Sequence, residues 1–136
     1  MVPPLRLTLL ADAGVCLVYA LLVGGLAPTA APWLVTGPAP LIAATVQVLW
    51  GVAAFVLVMG IYSAWTASAW PQRRQHVRAI LAVEVLWCLA CIALLLAGLP
   101  LTRLGQLAVV ASGLGVGVFL IAEVAGYRAE RTADPR

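Results

Sequence analysis

Residues 77–99 form an apolar run with a carboxylate inside it: Arg78-Ala-Ile-Leu-Ala-Val-Glu84-Val-Leu-Trp87-Cys88-Leu-Ala-Cys91, continuing through apolar residues to Gly98-Leu99-Pro100. About 20 apolar residues at 1.5 Å rise cover the hydrocarbon core of a bilayer, so this run is long enough to span one. An ionisable group within a spanning helix costs roughly 2.5–3.5 kcal/mol even on a translocon insertion scale, and it normally faces protein or water. Glu84 is therefore expected to point inward.

Three more such runs follow from the composition. The chain has 136 residues, 64% of them hydrophobic and 10% charged, against roughly 45–50% apolar in soluble domains. The pattern predicts an all-α membrane protein, a single integral domain with spans at residues 5–27, 41–64, 77–99 and 104–127. Asp12 interrupts the first run, and Pro32 follows the cleavage point that Ala31 would offer. That run is expected to stay as a span and not to be removed as a secretory signal. Residues 28–40, rich in Pro and Gly and uncharged, read as an irregular cap anchored by Trp33, with no proline inside any span.

All eight basic residues are arginine. Arg73, Arg74 and Arg78 crowd the segment joining the second and third spans, residues 65–76, and Arg6, Arg128, Arg131 and Arg136 fall on the same side of a four-span arrangement. Only Arg103 falls opposite. Short basic loops mark the cytoplasmic side, so both termini and the short tail, residues 128–136, are expected in the cytoplasm, and the net charge of +3 does not form a nucleic-acid-binding face. Arg6, Arg73, Arg74, Arg78 and Arg128 are candidates for ion pairs or lipid headgroups. The setting expected is a bacterial cytoplasmic membrane, with the bilayer itself as the first partner.

A shift of 72 positions places Arg6 on Arg78, Asp12 on Glu84, Cys16 on Cys88 and Pro28 on Pro100. The pattern predicts a tandem duplication of a two-helix hairpin, giving an antiparallel four-helix bundle. Ser112, Gly113 and Gly117 on the fourth span make a small-residue packing face, which either receives a helix of the same bundle or joins a second copy or a partner membrane protein.

Helical spacing puts Asp12, Cys16 and Tyr19 on one face and Glu84, Cys88 and Cys91 on its counterpart. At 1.5 Å per residue, Asp12 and Glu84 lie roughly 10 Å in from the basic side and Glu123 about 6 Å in. If the three converge, they cannot all ionise at low cost, and such a group can load and release protons. Tyr62 and Tyr127 are expected to supply hydrogen bonds at the inner mouth, and Trp87 to seek an acceptor near Glu84. The opposing expectation pairs each acid with Arg6, Arg78 or Arg128. Gln47 is expected to bond across to a neighbouring helix.

Cys88-Leu-Ala-Cys91 is similar in spacing to the pair in quinone-linked disulfide-forming membrane enzymes, which implies thiol redox chemistry; burial in a span keeps thiols inert and favours packing. His76 has no companion at ligand spacing, so no metal is expected, and no cofactor fingerprint or nucleophile with a base is found. Three function classes follow. The first is a non-catalytic accessory or scaffold protein packing with partner helices. The second is a proton-linked small-solute transporter or channel subunit using Asp12, Glu84 and Glu123. The third is a thiol redox protein using Cys88 and Cys91.

Overall fold

The computed structural model describes residues 4–70 and 72–133; Pro71 and Arg136, assigned above to the basic side, lie outside them. The chain is all-helical: α1 Leu5–Leu34, α2 Ala39–Ser68, α3 Val77–Leu96 and α4 Arg103–Ala133, with one 3₁₀ turn, Arg74–His76, leading into α3. All four helices are long and apolar enough to cross a membrane. At 1.5 Å per residue α3 is about 30 Å long, matched to a hydrocarbon core, whereas α1, α2 and α4 reach about 45 Å and extend past it.

The expected irregular cap begins later than the sequence suggested. Pro28 and Pro32 lie inside α1, which continues to Leu34. Proline removes a helical N–H and leaves the carbonyl four residues earlier without its partner. For Pro28 that carbonyl belongs to Gly24, and Trp50 Nε1 on α2 donates to it at 3.1 Å. A neighbouring side chain thus satisfies the freed acceptor, which is how helices in lipid tolerate proline. α4 runs on to Ala133, so the tail is helical over residues 128–133.

The two ends of the molecule are closed differently. At one end the loops 35–38 and 97–102 pair through an isolated antiparallel bridge, Val35 to Leu101, and Thr36 N donates to Pro100 O at 2.8 Å. Thr102 Oγ1 accepts from Gly105 N at 3.0 Å and so caps the start of α4. Gly98, at φ 66°, supplies the left-handed turn after α3 that other residues resist.

The other end carries the arginines. Here Leu5 and Leu9 of α1, Ala67 of α2 and Val77 and Ile80 of α3 form the fully buried apolar cluster, with Tyr62, Trp70, Leu81 and Tyr127 packed against it. This basic end is the tightest part of the fold. Along α3 the only buried residues are Val77, Ile80 and Glu84, so the remainder of that helix presents Leu86, Leu89, Ile92 and Leu96 outward, as lipid-facing side chains do.

Candidate functional site

Close approach of α1 and α2 sets the site. A Cβ at Gly60 would stand 2.8 Å from Cys16 Cβ and 3.2 Å from Ala13 O, so only glycine lets the helices meet there. Ser63, three residues further along α2 on the same face, then reaches Asp12: Ser63 Oγ donates to Asp12 Oδ2 at 2.9 Å. Cys16 Sγ, one turn on from Asp12, donates to Oδ1 at 3.5 Å. A similar device brings in α4. Gly126 lies against Leu5, whose Cβ would be 3.3 Å from an added Cβ, and Glu123 precedes it by one turn.

The result is a cluster of three buried carboxylates from three helices. Asp12, Glu84 and Glu123 each offer an oxygen, and these oxygens all lie within 4.8 Å of one another. Glu123 is 0% exposed. Among the described residues, both its oxygens and Glu84 Oε2 have no hydrogen-bond partner. The expected pairing with arginine does not occur at Glu123, and Asp12 is held by Ser63 and Cys16 instead. Arg6, Arg78 and Arg128 are exposed, and Arg78 Nε is spent on Tyr127 Oη at 3.3 Å.

Buried like charges at this spacing repel strongly, and buried charge is tolerated only when paired, protonated or bound to a cation. Three carboxyl groups so placed can share protons among themselves or surround a small cation. The charged and titratable side chains facing the cluster are Asp12 and Cys16 from α1, Glu84 from α3 and Glu123 from α4. α2 contributes the neutral Ser63.

Several residues singled out in the sequence sit elsewhere. Tyr62 Oη bonds to His76 Nδ1 at 2.8 Å and Tyr127 accepts from Arg78, so both tyrosines hydrogen-bond at the basic end and neither bonds directly to an acid of the cluster. Trp87 Nε1 donates to Ser112 Oγ at 3.1 Å rather than toward Glu84, and its ring stacks on Phe55 with centroids 6.0 Å apart. Gln47 is exposed on α2 and takes part in none of the interhelical bonds found among the described residues. Arg73 lies over the Trp65 ring at 3.7 Å and Arg74 over Tyr127 at 5.6 Å, orienting both by cation–π contact. Gly113 packs on Cys91 of α3, 3.3 Å from its Cβ to an added Cβ, so that half of the small-residue face is used within the chain, while Gly117 meets nothing within 4 Å. Cys16, Cys88 and Cys91 are free thiols, and Cys88 Sγ donates to Gly113 O at 3.7 Å.

Sequence reasoning missed Ser63. Its signal was a hydroxyl residue near the basic end of an apolar run, at a depth similar to that of Asp12. No protein-family model matches the chain, and no similar curated protein or solved structure is found.

Proposed function

We propose that the chain is a proton-linked small-solute transporter or channel subunit of a bacterial cytoplasmic membrane, with Asp12, Glu84 and Glu123 as its proton-exchanging group. The single observation that carries this reading is the meeting of three buried carboxylates from three helices, with both Glu123 oxygens free of any partner. Carboxylates kept only for stability would be paired, and a membrane-buried acid marks an ion or proton pathway by default.

The reading includes a topology. Arginines gather at the end where α1 and α3 begin and where α2 and α4 finish, and Arg103 stands apart from them. With that end in the cytoplasm, the helices form an antiparallel bundle with both termini inside. Equivalent positions of Arg6 and Arg78, and of Asp12 and Glu84, support descent from a duplicated hairpin. Asp12 and Glu84 would then be one ancestral acid seen twice, with Glu123 added by α4.

The test is proton flux. Purified protein in liposomes loaded with a pH-sensitive dye, under an imposed potassium diffusion potential, should acidify the lumen faster than empty liposomes. Asp12→Asn, Glu84→Gln and Glu123→Gln should each remove most of that flux. Flux unchanged in all three variants would overturn the reading.

The accessory or scaffold reading has one observation in its favour: Gly117 is open on α4, where a second helix could approach. Dimerisation in nanodiscs lost on Gly117→Leu, together with no proton flux in any variant, would favour it.

A further inference from the structure

The sequence has seven threonines, and five of them use their hydroxyls. Thr29, Thr45 and Thr132 donate to carbonyls of their own helices, and Thr36 and Thr102 donate to Pro100 O and Trp33 O at the end opposite the arginines. Thr8 and Thr66 are buried, at 6% and 0% exposure, and their Oγ1 atoms have no hydrogen-bond partner. Both lie one turn from the bonded pair Asp12 and Ser63. Thr8 precedes Asp12 by one turn of α1, and Thr66 follows Ser63 by three residues of α2. Because Ser63 is bonded to Asp12, both threonines stand on the basic-end side of that pair and on matching helix faces.

A helical threonine can satisfy its hydroxyl on the carbonyl three or four residues earlier, as three others in this chain do. Two that do not, on the facing sides of α1 and α2 one turn from the Asp12–Ser63 pair, point to a group lying between them. Water has the chemistry that two such hydroxyls call for. A hydroxyl both donates and accepts, and a buried water bonds to about three otherwise unsatisfied polar groups.

We infer that Thr8 and Thr66 form a buried water-binding site that joins the carboxylate cluster to the basic end of the protein. The apolar cluster of Leu5, Leu9, Ala67, Val77 and Ile80 lies at this same end of the bundle. Protons reaching Asp12, Glu84 and Glu123 then arrive through this water from that end, and the apolar side chains act as the gate, as hydrophobic constrictions do in channels. The water site stands on the hydroxyls alone; its role as an entry route rests on the proton-linked reading above.

The experiment has two readouts on protein in nanodiscs. Water-edited solid-state NMR of the wild type should give cross-peaks from water to the Thr8 and Thr66 methyl groups, and their absence overturns the inference whatever the variants do. Infrared spectroscopy after transfer to D2O then follows the carboxyl band as its protons exchange. Thr8→Val and Thr66→Val, close in shape but without the hydroxyl, should slow that exchange at least tenfold, and Thr8→Ser and Thr66→Ser should leave it unchanged. Exchange at the wild-type rate in both valine variants overturns the route. If the wild type has no protonated carboxyl band, the proton-linked reading fails, and the NMR cross-peaks still decide whether the water is there.

Discussion

Ser63 Oγ lies 2.9 Å from Asp12 Oδ2 and ties α2 to α1 at the depth of the carboxylate cluster. A hydroxyl donor on a buried acid both orients it and offsets part of its desolvation.

Ser63→Ala leaves Asp12 Oδ2 without its donor. Loss of one partner of a buried hydrogen bond costs about 1–3 kcal/mol. The expected outcome is a lower melting temperature in detergent with helix content unchanged by circular dichroism, and Ser63→Thr should recover most of the loss.

Gly60→Ala places a Cβ against Cys16 and Ala13, where neither the Cys16 Cβ nor the backbone carbonyl can move aside easily. Overpacking of this kind costs typically about 1–3 kcal/mol. Gly115→Ala adds a Cβ that meets nothing within 4 Å. Alanine favours the helix over glycine. Thermal unfolding of the two variants should move in opposite directions.

Trp50→Phe removes the donor that satisfies Gly24 O above Pro28. In the Pro28→Ala background residue 28 regains its N–H and takes that carbonyl itself. The double-mutant cycle should therefore give a smaller cost for Trp50→Phe in the Pro28→Ala protein than in the wild type.

Stability should depend on pH with a definite sign. Ionising the cluster sets like charges within 4.8 Å in buried surroundings, whereas unfolding exposes the same acids to water. Where the folded state keeps more protons than the unfolded one, stability falls as pH rises. Melting temperatures of the wild type should decline as pH rises through the range in which the cluster loses its protons. The triple variant Asp12→Asn, Glu84→Gln, Glu123→Gln should have a flatter profile.

Four helices were legible in the sequence because apolar runs of spanning length leave few alternatives in a bilayer. The matching places of Asp12 and Glu84, each two turns into its helix, were legible too, from sequence spacing alone. What one dimension does not carry is which faces meet. Gly60 against Cys16 and Gly126 against Leu5 decide that Ser63 and Glu123 join Asp12. The continuation of α1 through Pro28 was hidden because its compensation comes from Trp50 on another helix. Trp87 was expected to find an acceptor near Glu84, one turn away along its own helix, yet it found Ser112 across a helix contact.

The most direct test of the central claim is a pH titration of the carboxyl infrared bands in lipid nanodiscs, comparing the wild type with Asp12→Asn, Glu84→Gln and Glu123→Gln. The account predicts a protonated carboxyl band at neutral pH that each substitution removes or moves, since the three groups hold their protons jointly. Carboxylates that all stay ionised down to about pH 4, unaffected by one another's removal, would contradict it.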